Sequence, residues 1–240
     1  RPALLSSIAI LRCNKEEILP EFLYYTLRTP SFKQDVRDNY GSGSAIPRII
    51  LKDFKRMPIS FPSLDVQRQI TAVLSILDQR IQINTKINDN LAELLQAVYQ
   101  ERFGDVSAAT ELGTLSDICS YSRDRVAVSE LNASTYFSTE NMLPGKAGAT
   151  EAASLPTIPQ TTACHKGDTL ISNIRPYFKK IVYCEDRCGC STDVLCFTPV
   201  QPKYAAYLFS TLYADKFFAF MVAGSKGTKM PRGDKQPVSY

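Results

Sequence analysis

The chain has 240 residues, with 28 Lys and Arg against 24 Asp and Glu, a net charge of +4 and a pI near 8.6. That length fits one or two domains, and so mild a basic balance permits a polyanionic partner without requiring one, so the local placement of cations has to decide. At 44% hydrophobic and 22% charged the composition is that of a globular protein rather than a disordered one. No apolar run approaches the ~18 residues of a membrane span and no charged-then-apolar leader opens the sequence, which predicts a soluble, cytoplasmic protein with no membrane partner. Seven cysteines, an odd number in a chain too long to need disulfide staples, are expected as reduced thiols.

The first segment contains a Tyr/Phe/Leu-rich helical run from Pro20, a Gly-Ser turn, and then the basic, proline-punctuated stretch AIPRIILKDFKRMPISFPSLDVQRQI (Ala45 to Ile70). Pro47, Pro58 and Pro62 remove backbone donors and restrict φ, which predicts a stiff entry into the helix that follows. From Val66 to Phe103 apolar residues fall at helical spacing. Val66, Ile70, Val73, Leu77, Ile87, Leu91, Leu94 and Val98 form a stripe, with Arg80 and Asn84 on the same seam. Glycine and proline are absent from this run, Ser63 is placed to cap its start and Gly104 to end it. At 1.5 Å per residue the run makes a rod of roughly 60 Å, beyond the usual globular helix, so a coiled-coil arm is predicted, with Asn84 suited to a polar layer that sets register.

After Asp105 the pattern changes to short β-rich runs, such as Thr169 to Ile174 and Lys180 to Cys184, separated by Gly, Pro and Asn/Asp turns. A second helical stretch from Ala205 to Phe220 ends in Gly224-Ser225-Lys226-Gly227, and the class is α+β. An internal repeat emerges here. PEFLYYTLRTPSF…GSGSAIPR (Pro20 to Arg48) parallels PKYAAYLFSTLYADKF…GSKGTKMPR (Pro202 to Arg232), and Ser6 to Leu11 parallels Ser191 to Cys196. Residues 1–62 therefore read as the back part of a module that residues 105–240 supply almost whole, with the helix of 63–104 between them.

Catalytic chemistry finds little support. The single histidine, His165, follows Cys164, and adjacent side chains rarely face each other, so it is expected in a turn and no catalytic residue is assigned. Cys184, Cys188 and Cys190, with Cys196 nearby, lack the paired spacing of a zinc site, and free thiols are expected rather than a metal. No phosphate-binding glycine loop and no cofactor motif is present, so no cofactor is assigned. Cations interleaved with aromatic and hydroxyl residues are more informative. SNIRPYFKK (Ser172 to Lys180) gathers Arg175, Lys179 and Lys180 around Tyr177, and Lys226 and Lys229 lie at the end of the second repeat much as Arg48, Lys52, Lys55 and Arg56 follow the first. Such clusters suit phosphate anchoring and base-edge hydrogen bonding, with Arg123 and Arg125 as weaker members of the same set.

The junction IPRIILKDFKRMPISFPSLDVQRQI, the helix LSILDQRIQINTKINDNLAELLQAVYQERF, the segment GDTLISNIRPYFKK and the helix FLYYTLRTPSF together resemble the DNA-specificity subunit of type I restriction–modification systems. The resemblance implies target-recognition domains attached to long coiled-coil helices that space them along DNA. It implies a non-catalytic reader of double-stranded DNA. Two modification subunits, which bind S-adenosylmethionine and methylate adenine, would grip the helices, and restriction subunits would join through them. Against the family's two whole domains and two helices, this chain carries the C-terminal part of a first target-recognition domain (1–62), one spacer helix (63–104) and a second, nearly complete domain (105–240), as expected of a fragment or truncated form. Two further functional classes are weighed beside it. The uncovered stripe suits an assembly module that forms a homodimer through the long helix or docks on a modification subunit without reading sequence itself. Cys164 and His165 suggest, more weakly, a cysteine-dependent enzyme.

Overall fold

Two prolines and a threonine set the geometry at the start of the chain. In the computed structural model, which describes residues 10–41, 49, 56–104 and 113–225, helix α1 (Pro20–Arg28) and helix α2 (Pro30–Tyr40) are separated by Thr29 alone. Pro30 pushes the residue before it out of the helical region, and Thr29 sits at φ −61°, ψ 145°. Its hydroxyl then accepts from the Phe32 amide at 3.3 Å and caps α2. Each helix begins with proline, where the missing N–H would have had no partner.

Helix α3 (Leu64–Phe103) runs for 40 residues. It begins directly after Ser63, whose carbonyl accepts from the Gln67 amide at 3.0 Å. Asp65 in its first turn and Arg102 in its last complement the helix dipole. Gly104 follows because a Cβ there would lie 2.4 Å from the Gln100 carbonyl oxygen. The predicted bounds of the rod thus coincide with those observed. The chain divides into two compact units, Arg1–Asp89 and Asn90–Tyr240, and the division falls inside this helix.

In the first unit the key residue is Gln67, wholly buried on the first turns of α3. Its Oε1 accepts from the Leu19 amide at 2.9 Å, and its Nε2 donates to the carbonyls of Glu17 at 2.9 Å and Pro62 at 2.8 Å. Leu19 is the residue before α1, so the amide side chain supplies a partner to a backbone N–H at that helix's start. Further along, the Tyr25 hydroxyl donates to Asp78 Oδ2 at 2.9 Å. α1 and the segment before it are therefore joined to α3 by side-chain hydrogen bonds.

The second unit contains two four-stranded sheets. One has the order β1 (Cys119–Tyr121), β8 (Val194–Pro199), β5 (Thr169–Ser172), β6 (Ile181–Tyr183), all antiparallel. The other has the order β2 (Arg125–Ala127), β4 (Gln160–Cys164), β7 (Cys188–Cys190), β3 (Tyr136–Phe137), in which only β3–β7 is parallel. Helices α4 (Leu115–Ile118), α5 (Ala205–Tyr213) and α6 (Asp215–Ala223) cover the first sheet through Leu115, Leu208, Leu212, Phe217 and Phe218. Gly189 on β7 has no room for a side chain, since a Cβ would stand 2.5 Å from Leu131 Cδ1. The end of α3 rests on α5 within this unit. Tyr99 and Phe103 stack on Tyr207, with ring centroids 5.8 and 4.8 Å apart, and Gln96 Nε2 donates to the Ser210 carbonyl at 3.1 Å.

The helical stretch expected as one from Ala205 is two helices broken at Ala214 (φ −63°, ψ 141°), so that the apolar residues of both turn toward one core. This break reproduces the first hairpin. Thr26 and Thr211 hydroxyls each donate 2.9 Å back to Phe22 and Tyr207 carbonyls, and Thr29 and Ala214 amides each donate to the carbonyl three residues earlier. The repeat read from Pro20 to Phe32 and from Pro202 to Phe217 is therefore a repeat of conformation. Residues 6–9 of the proposed match of Ser6 to Leu11, and residues 45–48 and 50–55 of the Ala45 to Ile70 junction, lie outside the described residues.

Gln67→Leu keeps the volume but takes the side-chain partners from two carbonyls and one amide that are part-buried, at a cost of about 2 kcal/mol by urea denaturation. Gln67→Glu is expected to be worse at neutral pH, because a carboxylate would face two carbonyl oxygens. A loss below about 1 kcal/mol in both would show that the amide does not hold the join. Gly189→Ala is expected to lower stability by about 1–3 kcal/mol through overpacking against Leu131, measured in the same way.

Candidate functional site

The turn between β5 and β6 is the most constrained surface feature of the second unit. Arg175 (φ 51°) and Lys179 (φ 51°) bracket a single 3₁₀ turn, Pro176–Phe178, and both adopt the left-handed conformation that non-glycine residues rarely take. Backbone hydrogen bonds hold it from within and without. Phe178 N donates to Arg175 O at 2.9 Å and Lys179 N to Pro176 O at 2.9 Å, while Gly145 N and Lys146 N donate to Phe178 O and Lys179 O at 2.8 and 2.9 Å. Lys146 is itself at φ 64°, so two left-handed segments interlock. Pro176 is buried beneath, and Tyr177 and Phe178 stand outward, 49% and 38% exposed, with ring centroids 4.7 Å apart. Two aromatic side chains are thus presented on a backbone that is fixed before any ligand arrives.

The cations around this turn are already engaged. Asp215, the first residue of α6, accepts from Lys146 Nζ at 2.8 Å and Lys179 Nζ at 2.9 Å. The ammonium of Lys146 also lies 4.5 Å from the Tyr213 ring centre. Lys180 donates to the Thr139 carbonyl, and burial lowers its pKa from the usual lysine value. Arg175 is partly buried, with its Nε enclosed and without a hydrogen-bond partner. The turn therefore brings together Arg175, Tyr177, Lys179 and Lys180, all four singled out in the sequence. Lys146 and Asp215 were not. A lysine in a glycine-flanked loop and an aspartate at a helix start carry no signal until the fold sets them against Lys179.

The other expected cations are placed elsewhere or not described. Arg123 is exposed on the β1–β2 connection and Arg125 at the start of β2, and Lys226 and Lys229 lie outside the described residues. Arg123 lines a cavity of about 680 Å³ with Leu115, Cys119, Tyr121, His165 and Phe197. His165 is in a turn, as its neighbours suggested. Its amide donates to Asp168 Oδ2 at 2.8 Å, and its ring lies 3.7 Å from Asp124 and 3.9 Å from Asp168. Cys164 points instead into a buried cluster with Cys184, Cys188, Cys190 and Cys196. Among the described residues no group of three or more His, Cys, Asp or Glu is arranged to hold a metal ion.

The predicted seam of α3 is a surface in this chain. Val73, Leu77, Leu91 and Leu94 are 62%, 50%, 58% and 59% exposed, and Val66, Ile70, Ile87, Val98 and Asn84 are exposed as well. No described helix is long and apolar enough to cross a membrane.

Comparison with known proteins finds relatives for part of the chain. Residues 6–93 match the family model described as the type I restriction modification DNA specificity domain. The type I restriction enzyme HindI specificity subunit of Haemophilus influenzae is 28% identical over 100 residues, 40% of this chain and 21% of that protein. The MjaIX specificity subunit of Methanocaldococcus jannaschii is 30% identical over 91 residues, 38% of this chain and 21% of its own length. The chain thus matches about a fifth of the length of each of these relatives. The crystal structure of a type I restriction–modification S subunit from M. genitalium aligns over 88% of this chain and 57% of that one, at 19% identity and a TM-score of 0.42.

The ammonium groups of Lys146 and Lys179 hold the Asp215 carboxyl down at about 2. A carboxyl depressed in the folded state stabilises above its unfolded value of about 4 and loses that contribution as pH falls toward 2. Asp215→Asn is therefore expected to lower the thermal midpoint at pH 7, modestly because the side chain is 69% exposed. The two proteins should converge as pH approaches the folded value. A difference constant across that range would show that the charge of Asp215 is not what holds the two loops.

Proposed function

We propose that this chain, similar through residues 6–93 to type I specificity subunits, is a non-catalytic reader of duplex DNA that works within a methyltransferase complex. The match of residues 6–93 to a DNA-specificity domain carries the reading. The conformational repeat of the α1–α2 hairpin in α5–α6 extends it to the second unit, which that match does not cover. On this reading residues 1–62 are the C-terminal part of a first target-recognition domain, 63–104 a spacer helix, and 105–240 a second, nearly complete recognition domain.

The β5–β6 turn is the element we assign to the DNA. Tyr177 and Phe178 offer apolar faces suited to base edges such as the thymine methyl, and the lysines beside them suit phosphate oxygens. Lys179 would exchange the exposed carboxylate of Asp215 for a phosphate, so part of its attraction to DNA is spent in breaking that pair. Lys180, tied to the Thr139 carbonyl, would act chiefly by holding the shape of the turn, and Arg175 would do so through its left-handed backbone. Arg123 and Arg125 form a separate, exposed pair for the backbone.

A second role rests on the exposed apolar stripe of α3. It would be covered by a modification subunit or by a second copy of the helix, and this assembly does not itself require DNA reading.

The decisive experiment reconstitutes the chain with its modification subunits and selects from a random duplex pool. Enrichment of a defined motif is expected, and equal recovery of all sequences would refute the reading. Tyr177→Ala is expected to weaken binding to that motif about tenfold, in line with ~1–3 kcal/mol per good base contact. Lys179→Gln should weaken all sequences alike and reduce the slope of log affinity against log salt by about 1. Assembly is read independently. Leu91→Glu with Leu94→Glu should abolish complex formation in light scattering while leaving the helix content unchanged, and persistence of the complex would exclude the stripe as its interface.

A further inference from the structure

Where the two sheets of the second unit meet, five of the eight core residues are cysteines: Cys164, Cys184, Cys188, Cys190 and Cys196, beside Met142, Leu170 and Val194. None is more than 4% exposed. Their thiols are not equivalent. Cys196 donates to Asp168 Oδ2 at 3.2 Å, and Cys190 and Cys164 face the backbone carbonyls of Val194 and Thr162 at 3.9 and 3.8 Å. Cys188 instead has sulfur as its partner, with its Sγ 3.5 Å from Cys184 Sγ. Cys184 directly follows the last residue of β6 and Cys188 is the first of β7 in the other sheet, and an exposed turn of Glu185, Asp186 and Arg187 joins them.

We propose that Cys184 and Cys188 form a reversible dithiol–disulfide couple that clips one sheet to the other. Closing the bond requires the sulfurs to approach from 3.5 Å to about 2.05 Å, a movement that side-chain rotation in a turn can supply. With a peroxide as oxidant, the Cys188 thiolate attacks one peroxide oxygen, the O–O bond breaks, and a sulfenic acid and one water result. Cys184 then attacks the sulfenic sulfur and a second water leaves. In sum two S–H bonds are lost, one S–S bond forms, and two electrons and two protons reduce the peroxide to water. A small dithiol reverses the step by exchange. Cys188 is suited to the first attack because hydrogen bonds from Cys164 and then Cys184 lower its pKa, whereas the same contacts raise that of Cys164. Access comes through opening of the exposed turn, a local event that does not require unfolding of either sheet.

The test uses the whole purified chain, held below its unfolding temperature, exposed to hydrogen peroxide, alkylated in denaturant and digested with trypsin. Cleavage at Arg187 separates the two cysteines, so the disulfide joins peptide 181–187 to peptide 188–203. The expected product is that joined pair, lighter than its two reduced parts by the two lost hydrogens, and separated by dithiothreitol. It should be absent from Cys184→Ser and Cys188→Ser and retained in Cys190→Ser. Alkylation of both Cys184 and Cys188 in a sample where the more exposed Cys13 is oxidised would overturn the proposal. So would a link from 188–203 to the Cys164 peptide, 147–166, in place of the Cys184 one. Stoichiometric zinc in the purified chain, released by thiol blocking, would overturn it in favour of a metal site.

Discussion

One buried amide fixes the way this chain enters its long helix. Gln67 answers two carbonyls and one amide that would otherwise have no partner, and these belong to the segment before α1 and to the proline-rich approach to α3. A hydrophobic residue there could fill the space but would give the three backbone groups nothing. Because those partners are backbone groups, the bonds set where the chain runs and not merely which side chains touch. The short path from Pro62 to Leu64 then has little freedom, and the direction of the rod relative to α1 follows. At the other end of the rod the second unit uses a different mixture, with Tyr99 and Phe103 stacked on Tyr207 and Gln96 bonded to a carbonyl of α5.

Much of this organisation was legible in the sequence, and the reasons differ by element. The rod was plain because a stripe repeated over 40 residues averages out local exceptions, and its ends were marked by Ser63 and Gly104. The repeat was legible from its parallel residues, a proline, a Tyr/Phe/Leu-rich run and a Gly-Ser turn, while the break between the paired helices, set in the first hairpin by Pro30 after Thr29, was not read. In the second hairpin no proline stands after Ala214, and the break there follows instead from burying Leu212 and Phe217 in one core, which a window of sequence does not reveal. Two strands of the first sheet were legible, since the runs Thr169 to Ile174 and Lys180 to Cys184 contain β5 and β6, but the division into two sheets and their pairing were not. Strands of two to six residues are too short for alternation to show, and the parallel β3–β7 pairing joins residues some fifty positions apart.

The site was half legible. Arg175, Tyr177, Lys179 and Lys180 stand on one turn as their spacing implied, but charge counting misjudged their condition. Lys179 is partnered by Asp215 and Lys180 by a carbonyl, so the apparent basic cluster is in part structural glue. Gln67 escaped notice for a related reason: a glutamine in an amphipathic pattern reads as solvent-facing, and only its partners distinguish it. Five of the seven cysteines, read in the sequence only as free thiols, are gathered in one buried cluster.

The left-handed pair at Arg175 and Lys179 has an effect on how the protein can change over generations. The bonds that shape the turn run through backbone atoms, including those of Phe178, and through the lysine side chains, not through the rings of Tyr177 and Phe178, and Pro176 alone of the central residues is buried. Tyr177 and Phe178 can therefore be exchanged for other side chains with little disturbance to the frame that presents them. Selection on those two letters acts almost free of selection on folding, and a turn of this kind can acquire a new preference without first losing its shape.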